Sequence, residues 1–463
     1  MQVDRLRSLL QNIRQDFLLD RWDFLDELAK EQLALEIDSL NLSQIVQQQQ
    51  ILRKKVAPLD SVLESFQNYR YITSEAIRKE RIKISFDPLR YKIGCLIVAG
   101  GQGTRLKWNG PKGTFPVSLI KQKSLFQLLS EKIVAASHLH GYKIPLAVMT
   151  SPENHRITIE FFKKHCFFGL DPAYVDFFQQ EELPLLDLSG NLFLESTSHI
   201  AKGPNGNGEA LKSFYSAGLW KKWKSLDIES VYFSPIDNPL ALPYDAVLIK
   251  SHMESQADVT IKCVPRIDLN ENVGLVVKKD HKISVVEYSE LPTFEQTAID
   301  EQGNPKHICA NISIFCFSMD FVQRAALDYT DQMPWHLAKK AARYLNAQGI
   351  TDMSQQPIAW KFEKFIFDLL PFTSKVNILL YPRESCFAPL KNARGSDSLE
   401  TVQAALLKAD CDAYHMLSGI YPSSARRFEL DAQFYYPNLS MQENWLSRAL
   451  PPFPYIEPFC KSC

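Results

Sequence analysis

Leu96-Ile97-Val98-Ala99-Gly100-Gly101-Gln102-Gly103-Thr104-Arg105-Leu106 is followed five residues on by Pro111-Lys112-Gly113. The apolar run from Ile93 to Ala99 reads as a buried parallel strand. A glycine-rich turn and two cationic side chains follow it. Glycines let the backbone come close to an anion, and successive N–H groups can then face phosphate oxygens. Arg105 supplies a planar fork and Lys112 a point charge, and both suit a polyphosphate. A bare glycine cluster would equally be a simple strand-to-loop turn. The Arg and the Pro-Lys-Gly weigh against that plainer reading.

Two commoner glycine motifs do not fit. The P-loop string G-x-x-x-x-G-K-[ST] is absent. Gly101 and Gly103 begin a G-x-G-x-x-G, but Leu106 stands where its third glycine belongs.

The chain has 463 residues, enough for two or three domains and a large core. Lys and Arg total 52 against 53 Asp and Glu, so no field exists to hold nucleic acid or an anionic membrane. Any phosphate site must be local. Nine cysteines lie scattered, several in apolar runs such as Phe315-Cys316-Phe317, and read as buried thiols in a reducing compartment. Cys460 and Cys463 form a terminal C-x-x-C with no second pair or His nearby, so zinc is not expected there. No stretch approaches the roughly 20 apolar residues of a membrane span, and no signal-peptide core opens the chain. A cytoplasmic location is expected.

Residues 1–88 read as a helical domain. Leu6, Leu9, Leu10, Ile13 and Phe17 share one face, and Gln47 to Gln50 reads as a solvated helix face. Residues 89–385 alternate strands with amphipathic segments, which implies an α/β domain with a largely parallel sheet. Ligands in such sheets bind beyond the carboxyl ends of strands. The glycine loop lies at one such end, and Asp237, after Val231-Tyr232-Phe233, at another. Val273–Lys278 and Lys282–Tyr288 read as a hairpin around Lys279-Asp280-His281. Lys361–Leu370 reads as a helix burying Phe362, Phe365, Ile366 and Leu369, with Lys361 and Lys364 off that face. Residues 386–463 form a short C-terminal domain that begins with a helix, Leu399–Ala409. Its aromatic and proline-rich tail, Tyr435–Phe459, has no assignment.

Further segments carry a resemblance. Phe161-Phe162-Lys163-Lys164-His165, Phe168-Gly169-Leu170, Phe177-Phe178-Gln179-Gln180, Pro204-Asn205-Gly206-Asn207-Gly208 and Asp237-Asn238 occur in order. So do Val286-Glu287-Tyr288-Ser289-Glu290, Ala310-Asn311-Ile312, Glu363-Lys364-Phe365-Ile366-Phe367-Asp368 and Pro389-Leu390-Lys391-Asn392-Ala393. With the glycine loop, this set resembles the eukaryotic-type UDP-sugar pyrophosphorylases, and within them most the UDP-N-acetylhexosamine branch. It spans residues from about 95 to 395.

The resemblance implies a Rossmann-like nucleotidyltransferase core of GT-A type with a mixed, mostly parallel sheet. It implies uridylyl transfer from UTP to a hexose 1-phosphate, with pyrophosphate released. By resemblance Ala99, Gly100, Gly101, Gly103 and Thr104 cradle the nucleotide. Gln180 or its neighbour reads uracil, and Gly206 and Asn207 approach the base. Arg105, Lys112, Lys361 and Lys391 serve the phosphates, and Asp237 holds Mg²⁺. Asn238, Gly274, Glu287 and Asn311 would line the sugar. An amide can offer uracil both a donor and an acceptor, and Mg²⁺ prefers one or two carboxylates with phosphate oxygens and water.

The expected partners are small molecules, UTP and a hexose 1-phosphate, with no nucleic acid and no membrane. The chain is expected to be a monomer or weak oligomer. Lys107, Asn109-Gly110 and Glu209 depart from the N-acetylhexosamine pattern, and the last two look more like the UDP-glucose branch. N-acetylglucosamine 1-phosphate is the favoured substrate, and glucose 1-phosphate the alternative. A non-catalytic nucleotide-sugar binding protein is a different class of reading. The joint presence of Arg105, Lys112, Asp237 and Lys391 argues against it.

Overall fold

A computed structural model describes residues 2–53, 63–88, 90–423 and 425–458. The Cys460/Cys463 pair lies outside the described residues. The chain forms two compact units. One joins Met1–Asp60 to Glu181–Glu209 and Met333–Phe365; the other holds Ser61–Gln180, Ala210–Gln332 and Ile366–Cys463. The segment read from the sequence as one helical domain, 1–88, is therefore shared between them.

The larger unit is built on an eleven-stranded mixed sheet. Its strands, in chain order, are β1 (Leu63–Ser65), β2 (Arg70–Tyr71), β3 (Ile93–Val98), β4 (Leu146–Thr150), β5 (Val175–Gln179), β6 (Ser230–Pro235), β7 (Val259–Pro265), β8 (Leu275–Lys279), β9 (Lys282–Val286), β10 (Cys309–Ser318) and β11 (Val376–Leu380). The spatial order is β2-β11-β7-β10-β6-β3-β4-β5. β6, β3, β4 and β5 run parallel, as do β7, β11 and β2. β10 runs antiparallel between β7 and β6. β3 is buried along nearly its whole length, which is why its sequence is continuously apolar rather than alternating.

The hairpin expected around Lys279-Asp280-His281 is present. β8 and β9 pair antiparallel, and both turn residues, Asp280 and His281, take positive φ (49° and 62°), the backbone of a tight two-residue turn. β8 also pairs with β10 at Leu275 and Ala310.

Helices cover the sheet. α1 (Ser74–Phe86), α2 (Leu125–His140), α3 (Pro152–Lys164), α4 (Ala246–Glu254) and α5 (Leu399–Ser418) belong to this unit. α2 starts on Ser124, whose hydroxyl accepts from Gln127 N, and ends on Gly141 at φ 72°. α3 starts on Ser151 with Pro152 in its first turn. The C-terminal residues pack into the same core as the sheet: Val402, Leu406, Tyr414, Phe434 and Trp445 join Ile97, Val148 and Leu379. The unassigned tail contributes Tyr455–Ile456, a short strand parallel to Glu429–Leu430.

The smaller unit packs helices Gln2–Gln11, Glu27–Asp38 and Leu42–Arg53 with short antiparallel strands, among them Ala359–Glu363 between His336–Lys340 and Leu186–Asp187. Leu6, Leu10, Ile13, Leu33, Ile37 and Phe362 lie in its core. Phe17, expected on that face, is 41% exposed. Two other expectations are corrected. Gln48 and Gln49 are buried rather than solvated, and Gln49 donates to Gly190 O at 2.9 Å. Residues 361–370 are not one helix: Ala359–Glu363 is a strand, and only Ile366–Phe372 is helical, as a 3₁₀ helix. Alternation along the strand buries Phe362 between Lys361 and Glu363, a pattern that a helical stripe of the same apolar residues imitates. Lys364, expected off the buried face, is 3% exposed.

Candidate active site

Strand β3 delivers the chain to Ala99, whose N–H donates to Met149 O of β4 at 2.7 Å. The loop beyond folds back on itself. Gly103 N donates to Gly110 O at 3.0 Å, and Lys112 N to Gly101 O at 3.1 Å. The two motifs quoted at the outset are thereby joined into one structure. Thr104 and Arg105 are exposed on it, and no acidic side chain pairs with Arg105 among the described residues.

Gln180 lies just past β5, and its N–H donates to Thr150 O at 2.8 Å. The residue is buried, whereas Gln179 is exposed. Its side-chain amide lies over Gly100, where an added Cβ would sit 2.9 Å from Nε2. Only glycine leaves room for the amide at that place. Asn154, on the first turn of α3, was not singled out in the sequence. It is fully buried and donates from Nδ2 to Gly100 O at 2.9 Å, so it fixes the loop. Its one sequence signal is its place in Ser151-Pro152-Glu153-Asn154, a helix start after a strand.

Strand β6 ends beside β3, and Asp237 follows two residues later. Its Oδ2 lies 3.4 Å from Lys112 Nζ, and both side chains are mostly shielded. Asp237 O accepts from Leu390 N at 2.8 Å. Asn238 donates to Cys386 O at 2.8 Å and accepts from Ala388 N at 3.1 Å. These bonds dock the 386–391 segment on the turn after β6, which places Lys391 at the same edge of the sheet. The Lys391 ammonium lies 5.9 Å from the Phe387 ring centre.

Antiparallel β10 starts at this edge. Asn311 N donates to Gly274 O at 2.8 Å, and the Glu287 carboxylate lies close enough to Gly274 that an added Cβ would sit 3.0 Å from Oε1. Three residues expected at the sugar are therefore one cluster. The register between β7 and β10 breaks here: Lys262 faces Ile314, and Cys263 faces Asn311. Ser313 takes φ 56° in the break, and its N–H donates to Asn311 Oδ1 at 2.9 Å. Bulges of this kind re-aim side chains next to binding sites.

Gly206, Asn207 and Lys361 belong to the smaller unit. Lys361 Nζ lies 2.8 Å from Glu363 Oε1 on the same strand. Gly206, at φ 84°, bridges to Lys364, and an added Cβ would sit 2.3 Å from Lys364 O. Glu209 is buried, with Oε1 3.1 Å from Lys364 Nζ and Oε2 accepting from Asn205 at 2.7 Å.

Among the described residues no group of three or more His, Cys, Asp or Glu side chains could enclose a metal. One carboxylate, Asp237, stands where a cation already approaches it as the Lys112 ammonium. Such a donor set suits an ion that takes most of its ligands from phosphate and water.

A sequence profile described as UTP–glucose-1-phosphate uridylyltransferase matches residues 37–441. The chain belongs to this family. It is a nucleotidyltransferase of the UDP-sugar pyrophosphorylase kind. A probable UDP-N-acetylglucosamine pyrophosphorylase of Schizosaccharomyces pombe is 38% identical over 67% of this chain and 69% of its own length. UDP-N-acetylglucosamine diphosphorylase 2 of Arabidopsis thaliana is 29% identical over 86% of this chain and 82% of its own. The crystal structure of a UDP-N-acetylglucosamine pyrophosphorylase from Trypanosoma brucei superposes with a TM-score of 0.75 at 25% identity, covering 99% of this chain and 98% of that one. Among the described residues no helix is long and apolar enough to cross a membrane.

Proposed function

We propose that the chain forms UDP-N-acetylglucosamine and pyrophosphate from UTP and N-acetylglucosamine 1-phosphate, with Mg²⁺. The carrying observation is the meeting of Lys112, Asp237 and the Lys391 segment with the Gly274–Glu287–Asn311 cluster at one edge of the sheet. The names of the relatives just described support the choice of sugar.

A sugar phosphate oxygen attacks the α-phosphorus of UTP in line, and pyrophosphate departs. No general base is required, because a phosphate monoester with a second pKa of about 6 is mostly dianionic at neutral pH. The protein's part is positioning and charge stabilisation. Gly100, Gly101 and Gly103 offer backbone to the nucleotide, Thr104 lies beside them, and Gln180 reads uracil. Arg105 and Lys112 hold the β- and γ-phosphates and the leaving pyrophosphate. Lys391 draws in the sugar phosphate against the charge of the triphosphate. Glu287 accepts from sugar hydroxyls, and Asn311 faces the 2-substituent. Asn238 serves the sugar indirectly, since its amide is committed to Cys386 and Ala388. Roles for Lys361 at the phosphates and for Gly206 and Asn207 at the base rest on the family resemblance. Asp237 would hold Mg²⁺, which supplies charge neutralisation at the phosphate oxygens when bound.

Pyrophosphate release from UTP with N-acetylglucosamine, N-acetylgalactosamine and glucose 1-phosphates, compared as kcat/KM, tests the reading. A preference for glucose 1-phosphate would overturn the choice of sugar. No release with any of them would overturn the activity.

A further inference from the structure

Lys132 lies on α2, outside every motif discussed above. It is 4% exposed, and burial draws its ammonium down to about 7. A buried ammonium is expensive unless its donors are used. Its Nζ donates to Pro239 O at 2.5 Å and to Ala241 O at 3.3 Å. Both acceptors belong to the turn that begins with Asp237 and Asn238, and Ala241 N donates back to Asn238 O at 3.1 Å. Leu390 N and the Asn238 amide hold this turn from one side. Lys132 supplies the second tether. The Tyr435 ring lies 5.2 Å from the ammonium, and the Tyr435 hydroxyl donates to buried Asp410 at 2.6 Å. The C-terminal residues thus complete the cage around it.

We propose that Lys132 is a positioning residue for uridylyl transfer, which sets Asp237 and Asn238 by clamping the carbonyls of Pro239 and Ala241. The inference rests on the reading of Asp237 as the metal-bearing carboxylate. An apolar residue of the same length would fill the space as well, but it would leave both carbonyls of the turn unanswered.

The test compares Lys132→Met, which keeps the apolar stem and removes the donors, with Lys132→Arg, which restores them. Two readouts are used: hydrogen exchange in metal-free, ligand-free protein, and the Mg²⁺ concentration for half-maximal activity. In Lys132→Met the amides of residues 236–242 other than Pro239 should exchange at least about tenfold faster, the effect of losing the two hydrogen bonds, with little change elsewhere in the unit. The Mg²⁺ requirement should rise by about the same factor, and Lys132→Arg should recover most of both. Should Lys132→Met not fold, Lys132→Leu, which likewise removes the donors, is measured in its place.

Local exchange and a Mg²⁺ curve that overlay the wild type would overturn the proposal. So would a uniform rise in exchange with an unchanged Mg²⁺ curve, or failure of both variants to fold, since each marks a purely structural lysine. Asp237→Asn is the control. If it leaves the Mg²⁺ curve unchanged, the reading of Asp237 fails, while the exchange result still reports on the clamp.

Discussion

Two glycine-rich loops, Gly100–Gly103 and Asn205–Gly208, look alike in sequence and differ in the room they leave. The first keeps open space at Gly101, where nothing lies within 4 Å of an added Cβ, and Thr104 and Arg105 face solvent, while Gly100 and Gly103 are already covered by the Gln180 amide and the Trp108 side chain, at 2.9 Å and 2.7 Å from an added Cβ. The second has no space to give. A Cβ on Gly206 or Gly208 would meet the Lys364 backbone at 2.3 Å or 2.6 Å. Its charged neighbours are also spent, since Glu209 answers Lys364 and Asn205 internally. A glycine can be required by a ligand that must come close or by a chain that is already there, and sequence alone does not separate the two.

The sharpest way to break this comparison is to strip a cation from the open loop. Arg105→Ala and Lys112→Ala should each lower kcat by about 10²–10³-fold, the usual cost of removing a donor aimed at developing charge. Thermal midpoints should stay at the wild-type value for Arg105→Ala, because the side chain is exposed. Near-normal kcat in either purified variant would remove that residue from the mechanism.

In the packed loop the same kind of change should act on stability. Glu209→Gln removes a countercharge from a buried pair and should cost about 3 kcal/mol in denaturant unfolding. The ratio of kcat/KM for the two sugar phosphates should not move. A changed ratio would show that Glu209 reports the sugar, as its departure from the N-acetylhexosamine pattern suggested, and not the packing of its own unit.

Gly206→Ala and Gly101→Ala form the matched pair. The first should destabilise by about 2–3 kcal/mol, through overpacking at a position with φ 84°. The second should unfold like the wild type and lose activity only if ligand backbone contacts are close. Equal unfolding midpoints for the two would erase the distinction drawn here.

Much of the larger unit was legible in the chain. The strands at Ile93–Val98 and Ser230–Pro235 are short, apolar and bounded, so periodicity found them, as it found the alternation of strands and helices around them. The β8–β9 hairpin was legible from its turn. The 361–370 region was not, because Phe362, Ile366 and Leu369 satisfy helical spacing while lying on a strand and a 3₁₀ helix. Gln48, Gln49 and Lys364 were misplaced for a related reason: polarity argued for solvent, but a tertiary partner or a buried counterion can pull such groups inside. Asn154 had only its place at a helix start to mark it, and Lys132 nothing, since each acts on backbone carbonyls distant in sequence. At the site, the proximity of Lys112 to Asp237 and of Gly274 to Glu287 and Asn311 was expected only through resemblance. Nothing in local pattern specifies which strand ends are neighbours.

The smallest effect concerns Lys107, the residue that closes the open loop's 3₁₀ turn. It takes φ 57° and ψ 33°, the left-handed region, where an L-residue crowds its own carbonyl. The side chain is exposed, and no ion pair holds it among the described residues. The strain is therefore a cost that no contact of the side chain offsets. Lys107→Gly would relieve it, at the expense of a more flexible unfolded chain, and the balance should stabilise by roughly 0.5–1 kcal/mol. Because Thr104 O accepts from Lys107 N through the backbone alone, the turn survives the change and kcat should be retained. A variant with lower stability than the wild type would show that the side chain makes a contact in solution worth more than the strain. Unchanged stability with reduced kcat would place the Lys107 charge with Arg105 and Lys112 among the cations facing the nucleotide, and the open loop would then carry three.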